Sequence, residues 1–359
     1  MPDLDGLRGW ASLSVLLFHI FWEIFGLVHP GFRNPLVAAL CNGKMAVMIF
    51  FILSGEALSA PFWRGGGRPA VLRQALKRYP RLTLPILAAC FVTWVLMSLH
   101  LVRSPEAVEL IHRQEWLGPW LRFQPDLAGL LRFSLFDVYI DNSPDRSYNS
   151  FLWTMGTELA GSFLLFAGLL LKRPVPVLAA AALGLFAIRQ DFACFFAGSL
   201  IGHARAEGWF ERFQSRWAGL AALPAMGWFS HMQIIDSAGQ RASMACALLM
   251  VLAIRCSPAL TGFLGNRLSR WVGKLSFPLY LLQFPVFVSL TSGMILAGGT
   301  LDTPRVWFIA LATLAAVFVA SVLFLPVERA AHRLSALWVR RQPILNPPGE
   351  IAGRVVDKG

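Results

Sequence analysis

The chain has 359 residues, of which 56% are hydrophobic and only 14% are charged, and its mean hydropathy is +0.57. A soluble domain usually carries about 25% charged residues, so this composition excludes an ordinary soluble fold and favours one polytopic membrane domain. The net charge of +12 would suit a nucleic-acid-binding protein, but the placement of the basic residues described below argues against that class.

The first apolar segment, residues 4–26, is long enough to span a membrane but carries ionisable side chains. It lacks a basic leader and a small-residue cleavage site, so we expect a retained span and not a signal peptide. Arg8 and His19 are eleven residues apart, which on an α-helix places them within about 20° of each other. His19 would then lie roughly 16 Å deeper than Arg8, near mid-membrane. Three more residues share this face and complete a polar stripe: Asp5, Ser12 and Glu23.

Ionisable groups inside a membrane cost several kcal/mol and usually mark a function, although such a stripe could also hold a helix bundle together. His19 and Glu23 could share a metal ion, but no second cluster at metal-ligand spacing accompanies them. We therefore predict no metal site and no permanently bound cofactor. The five cysteines are scattered through apolar runs and are expected to be small buried residues.

The second span ends near Glu56, which could pair with a neighbouring arginine. The third span opens with "KRYPRLTLP" (77–85). Arg78 and Arg81 in this stretch could bind an anion, because guanidinium groups present planar donors to phosphate. The competing interpretation is a positively charged anchor at the cytoplasmic surface, which alone explains the preceding arginines at 64, 68 and 73.

Residues 103–150 are too polar to span and contain several aromatic residues among acids. Aromatic faces with carboxylates suit sugar binding, but an aromatic belt at the membrane interface would look the same. The stretch "LWTMGTEL" (152–159) then opens the fourth span. On this helix, Thr154, Glu158 and Ser162 share one face, and the Glu158 carboxylate could orient His19, bind sugar hydroxyls or serve as a structural ion-pair partner.

In the ninth predicted span, Ser276, Tyr280 and Gln283 fall on one face. The stretch "VERAAHRL" (327–334) follows the last span and is predicted to be a cytoplasmic helix end and anchor. Residues 336–359 are predicted to form a disordered cytoplasmic tail, which leaves residues 1–335 as the membrane domain.

The hydropathy pattern predicts an all-α fold, a polytopic membrane bundle of about ten transmembrane helices. With a cytoplasmic N-terminus, 22 of the 32 Lys and Arg residues fall on the cytoplasmic side and nine on the outer side, which favours cytoplasmic positions for both termini. The net charge therefore reflects topology and contact with anionic lipid, and we expect no nucleic-acid partner. The predicted spans are 9–28, 36–58, 82–102, 151–171, 174–189, 191–205, 217–235, 241–257, 272–296 and 305–325.

Several of these stretches together resemble the acyltransferase-3 family of integral membrane enzymes. The likeness begins with "DGLRGWASLSVLLFH", which has ten residues between Arg8 and His19. It continues in order through "FFILSG" (50–55), "LKRYPRLTLP" (76–85), "LWTMGTEL", "LSFPLYLLQFPV" (275–286) and "VERAAHRL". The sequence departs from the family at Gln283, where many members have His. Glutamine can hydrogen-bond but cannot shuttle protons, which argues against a second catalytic histidine.

The resemblance implies an enzyme that transfers an acyl group, often acetyl, to a carbohydrate. We therefore expect acyl-CoA as co-substrate, a glycan or lipid-linked glycan as acceptor, and a bacterial inner membrane as location. His19 and Glu158 are the predicted catalytic residues, with His19 as general base assisted by the carboxylate of Glu158 or of Glu23. A transient acyl-histidine is the alternative chemistry. The predicted substrate-binding residues are Asp5, Arg8, Arg78, Arg81, Tyr280 and Gln283.

Two other classes fit parts of the pattern. A proton-coupled transporter or glycan flippase would use the same intramembrane charges, although the sequence contains no inverted repeat. A non-catalytic membrane scaffold would not need the stripe that contains Arg8 and His19.

Overall fold

Ten long helices account for most of the chain, and each overlaps one of the predicted spans. The computed structural model describes residues 1–234 and 239–342, and within these residues the fold is entirely helical, without strands. The ten longest helices are α1 (Pro2–Leu17), α2 (Gly43–Pro61), α3 (Gly67–Ser98), α4 (Met155–Leu169), α5 (Pro174–Ile188), α6 (Gln190–Ala206), α7 (Ala222–Ile234), α8 (Gln240–Cys256), α9 (Arg267–Val286) and α10 (Thr303–Arg340).

By length and composition, four helical stretches of the described chain could cross a membrane. These are Pro35–Ser98, which contains α2 and α3, and then Ser150–Leu169, Arg267–Leu296 and Thr303–Arg340. A fifth arises if Arg241–Cys256 and Pro258–Leu264, which meet at a bend of 94°, count as one span. The protein is thus an integral membrane protein, while the number of ten spans and the cytoplasmic termini stay predictions.

Helix starts follow local capping chemistry. The Asn42 side chain accepts a hydrogen bond from the Met45 amide at 2.9 Å at the start of α2. Asn266 caps α9 in the same way at 2.7 Å, and Asp302 caps α10 through the Arg305 amide at 3.1 Å. Such side-chain acceptors satisfy amides that have no partner in the first helical turn.

Two helices extend about fifteen residues beyond their predicted spans. The third span was expected to begin at residue 82, but α3 begins at Gly67, so Arg78 lies about 16 Å along the helix. The last span was expected to end at 325, but α10 continues to Arg340. The boundary expected at residue 335 therefore falls inside a helix. Residues 343–359 of the predicted tail lie outside the described residues.

α1 contributes to both apolar clusters of the core. Its first half, including Leu4 and Leu7, packs with α2, α6 and α8. Its end, including Leu16, packs with α3, α9 and α10. Gly9 on α1 and Gly273 on α9 have no side chains, and a β-carbon at either would collide with the facing backbone. This lets the two helices approach closely along their lengths.

Part of the polar segment 103–150 packs against α3. The helix Leu127–Leu135 folds back along α3, and the Tyr79 hydroxyl donates to the Leu135 carbonyl at 2.7 Å. Thr83 and Tyr139 hydroxyls are also 2.7 Å apart. Since Thr83 is fifteen residues before the end of α3, this segment reaches roughly 22 Å down the helix.

Candidate functional site

A cavity of about 410 Å³ lies between α1, α2, α3, α4, α9 and α10. Its walls combine apolar side chains with many charged ones, and the bases outnumber the acids. A site with this balance favours an anionic ligand, particularly one with several negative charges. The lining bases are Arg8, Arg78, Arg81, Arg270 and Lys274, and the lining acids are Asp5, Glu158 and Glu328.

The cavity follows α9 from Arg270 to Tyr280, a rise of about 15 Å. α1 runs parallel to α9, because Ser12 donates to the Ser276 carbonyl at 3.0 Å and His19 contacts Gln283 one to two turns further on. Arg8 therefore lies at the same end as Arg270. His19 lies at the other end, beyond Tyr280.

The wall between α3 and α4 contains a buried ion pair. The guanidinium of Arg78 donates to Glu158 through Nη2, and to the Ser162 hydroxyl through Nε at 2.8 Å. The Ser54 hydroxyl from α2 donates to the same carboxylate oxygen at 2.6 Å. Both charged side chains are buried, so each depends on the other to offset the cost of leaving water.

Tyr280 closes the deep end of the cavity. Its hydroxyl is 2.8 Å from the Thr154 hydroxyl and donates to the Phe151 carbonyl. Thr154 and Glu158 are one turn apart on the chain, so the hydroxyls lie next to the ion pair. This end combines neutral hydroxyls with a charge-balanced ion pair, in contrast to the basic end near Arg270.

His19 lies just past this hydroxyl pair and does not itself line the cavity. The helix widens to π-type hydrogen bonding at Phe18–Ile24, and this widened turn carries His19. The imidazole stacks on Phe151, with ring centroids 4.3 Å apart, and its Nδ1 is 3.0 Å from Gln283 Oε1. Phe151 thus touches both Tyr280 and His19. Single π turns of this kind occur often at functional sites.

Trp116, in the segment 111–126, lies on another side of His19. The Trp116 ring is 5.7 Å from the imidazole, and the Arg113 guanidinium lies 5.6 Å above the Trp116 ring. Arg113 also forms an ion pair with Glu23, which is one turn after His19. The polar stripe predicted for α1 therefore divides, with Arg8 at the cavity, His19 at Gln283 and Glu23 at Arg113.

The structure brings most of the predicted site residues together. Asp5, Arg8, Arg78, Arg81, Glu158 and Tyr280 all line the cavity. His19 and Gln283 contact each other beside it. Glu158 does not hydrogen-bond to His19, since its partners are Arg78 and Ser54. The catalytic and binding roles of these residues stay predictions.

Sequence reasoning missed five lining residues: Ser54, Arg270, Lys274, Glu328 and His332. Arg270 and Lys274 were attributed to membrane topology, and the two residues of α10 to a helix end. A usable signal existed on α9, because Arg270, Lys274, Phe277 and Tyr280 follow one another at helical spacing. If the helix face that contains Tyr280 is followed back toward the start of α9, it reaches Lys274 and Arg270.

Comparisons with known proteins identify the family of this chain. Residues 1–325 match the family described as an acyltransferase domain, the acyltransferase-3 family. The chain is 24% identical to the O-acetyltransferase PaAT-1 of Phomopsis amygdali, over 88% of this chain and 78% of that protein. It is 23% identical to YrhL of Bacillus subtilis (strain 168), which bears the provisional name of a peptidoglycan O-acetyltransferase.

The second match covers 92% of this chain but spans only about half, 54%, of the relative's length. No solved structure matches the chain significantly. The family match covers nine of the ten long helices completely. It includes the cavity-lining residues on α1, α2, α3, α4 and α9, but not those on α10. The chain therefore belongs to the acyltransferase-3 family and is an acyltransferase.

Proposed function

We propose that this protein is a membrane-embedded O-acyltransferase that moves an acetyl group from cytoplasmic acetyl-CoA to a hydroxyl of a cell-envelope or exported glycan. The observation that carries the proposal is the cavity with five basic side chains, which leads toward the hydroxyls of Tyr280 and Thr154 and then to His19. In this proposal the chain crosses a bacterial inner membrane ten times, and both termini are cytoplasmic.

The donor half of the proposal rests on charge and shape. Coenzyme A has phosphates at one end and its thioester at the other, so it suits a long cavity that is basic at one end and neutral at the other. Arg8, Arg270 and Lys274 would bind the phosphates. The Arg8 Nε is buried, and none of the described residues accepts its hydrogen bond, so this donor is available to a ligand.

In the proposed chemical step, His19 is the general base. The glycan hydroxyl gives its proton to His19 as its oxygen attacks the thioester carbon. The carbon–sulfur bond then breaks, and the proton passes from the imidazolium to the departing thiolate, which leaves as coenzyme A. General base catalysis of this kind is typically worth about 10²–10⁴-fold. A transient acyl-histidine would use the same residue as nucleophile.

The acceptor half rests on the segment 111–126. Trp116 and the Arg113–Glu23 pair lie beside His19, and an aromatic ring with adjacent charged groups suits a sugar. The relative from Bacillus subtilis is named for peptidoglycan, which supports a glycan acceptor. The acceptor would reach His19 from the side opposite the basic end of the cavity.

The test is transfer of radiolabelled acetyl from acetyl-CoA to cell-envelope glycan in membranes that contain the wild-type protein or His19→Ala at matched abundance. We expect the variant to lose at least about 100-fold in rate. His100→Asn is the matched control, because His100 is an exposed histidine with φ 56°, a conformation that Asn tolerates. The control should transfer acetyl at the wild-type rate.

Full activity of a folded His19→Ala protein would refute the role of His19. If the wild-type protein transports a glycan or protons and transfers no acyl group from acetyl-CoA, the transporter interpretation would replace the proposal. Binding of acetyl-CoA, measured by quenching of intrinsic fluorescence, separates these cases because a glycan transporter has no need of that donor.

A further inference from the structure

The side chain of Gln283 contacts His19 in an orientation that its other hydrogen bond fixes. Its Nε2 donates to the Tyr280 carbonyl at 3.3 Å, and its Oε1 lies 3.0 Å from His19 Nδ1. A backbone carbonyl can only accept hydrogen bonds, so the amide nitrogen must face Tyr280. The amide oxygen then necessarily faces the imidazole. Gln283 is 1% exposed, so water does not compete for these contacts.

This orientation determines which imidazole nitrogen carries the hydrogen. An amide oxygen can only accept, so the short contact requires a hydrogen on Nδ1. In the neutral ring, Nε2 is then the unprotonated nitrogen. Stacking on Phe151 at 4.3 Å, with ring planes 21° apart, holds the plane of the imidazole. Three contacts together therefore fix both the tautomer and the orientation of His19.

We propose that Gln283 is a positioning residue that holds His19 in the Nδ1–H tautomer, so that Nε2 is the nitrogen that accepts the proton of the acceptor hydroxyl. The inference rests on the proposed function and specifies how its base is prepared. When Nε2 takes the proton, the ring becomes an imidazolium whose Nδ1–H still donates to Gln283 Oε1. The later transfer of the Nε2 proton to the thiolate restores the starting tautomer. The orienting group is neutral throughout.

The experiment compares Gln283→Leu with Gln283→Glu in the acetyl-transfer assay as a function of pH. Leucine removes the hydrogen bond at similar volume, and we expect kcat to fall at least about tenfold with little change in the KM for acetyl-CoA. Glutamate keeps an acceptor at Nδ1 and adds a negative charge. The carboxylate stabilises the imidazolium, so the low-pH limb of the pH–rate profile should move to higher pH by about one unit.

A second measurement reports the tautomer without activity. In protein with ¹⁵N-labelled histidine, the His19 signals, assigned by their loss in His19→Ala, should show a protonated Nδ1 and an unprotonated Nε2. In Gln283→Leu they should show a mixture of tautomers. Ser289→Ala serves as a control in the same helical region, since among the described residues its hydroxyl donates to the carbonyl of Pro285, one turn earlier, at 2.6 Å.

Each outcome bears on the inference. A full rate in folded Gln283→Leu, or an unshifted pH profile in an active Gln283→Glu, would overturn it while the requirement for His19 stands. A predominant Nε2–H tautomer in the wild-type protein would also overturn it. Failure of the proposed function looks different, since in that case His19→Ala itself keeps full activity and all Gln283 variants are equally active.

Discussion

Arg78 and Glu158 act as one unit at the level of single residues. Both are buried, and the carboxylate also accepts from Ser54 at 2.6 Å. Removal of either charge leaves the other uncompensated in a dry wall of the cavity. We expect Arg78→Gln and Glu158→Gln each to lower kcat/KM for acetyl-CoA at least about tenfold. The kcat/KM of the double variant should be no lower than that of the less active single variant, because the two losses are not additive.

The measurement is a double-mutant cycle on the transfer rate, with Arg73→Gln as the matched control. Arg73 lies on the same helix but is exposed, so its loss should leave the rate unchanged. Independent, additive losses at the two positions would mean that Glu158 has a role separate from Arg78. Glu158 would then become a candidate for the general base.

The residues of the site were only partly predictable, and the reason is physical. Arg8 and His19 were found because a charge inside an apolar helix has few structural explanations. Arg270 and Lys274 were missed because a basic residue at a membrane surface follows from topology alone. The Gln283 contact was unpredictable, since it depends on how closely α1 and α9 approach at Gly9 and Gly273, residues without side chains.

At the level of elements, an ion pair fastens the segment 111–126 to the π turn of the first helix. Arg113 and Glu23 are 14% and 16% exposed, so the pair is mostly buried. Arg113→Leu should destabilise the folded protein by about 3–5 kcal/mol, because it leaves the mostly buried Glu23 carboxylate without its ion-pair partner. Glu23→Leu should cost less, because Arg113 keeps an ion pair with the exposed Glu115 at 3.5 Å. The double Leu variant should recover most of this loss. Thermal unfolding in detergent measures both effects, with Arg103→Leu as an exposed control.

If either single variant unfolds at the wild-type temperature, the pair does not stabilise the segment. A second result is expected for activity. The double variant keeps a stable fold but lacks both charges beside His19, so the KM for the glycan acceptor should rise more than the KM for acetyl-CoA. An equal rise in both values would argue against an acceptor site at this segment.

Elements were predicted better than their boundaries. Each predicted span overlaps one of the long helices, because a backbone in lipid must satisfy its hydrogen bonds internally, which a helix does. Apolar length failed to give the ends where a helix continues from an apolar stretch into charged sequence, as α3 does before residue 82 and α10 does after 325. The π turn at Phe18–Ile24 was also unforeseen, since a single added residue per turn leaves no mark in hydropathy.

For the whole molecule, a buried network of four charges joins the first half of α1 to α2, α6 and α8. Arg255 donates to Asp3 and Glu56 at 2.5 and 2.7 Å, and Arg205 donates to the same two carboxylates at 2.8 and 3.1 Å. The charges balance, and Glu56 and Arg255 are almost completely buried. The expected pairing of Glu56 with an arginine therefore extends to two arginines and a second acid. The network therefore ties α1, which carries Arg8, to α2, α6 and α8.

Arg255→Met tests this connection. The substitution leaves two buried acids facing Arg205 alone, so unfolding in detergent should become easier by about 3–5 kcal/mol. Glu56→Met in the same background should recover part of the loss, because Asp3 and Arg205 then remain as a balanced pair. The control is Arg267→Met, which replaces an exposed arginine at the start of α9 and should unfold like the wild type.

If Arg255→Met alone matched the wild-type stability, apolar packing would have to hold α1 against α2, α6 and α8. In that case the position of Arg8 at the cavity would depend on the contact between Gly9 and Gly273, and substitution of either glycine by alanine would be the more damaging change.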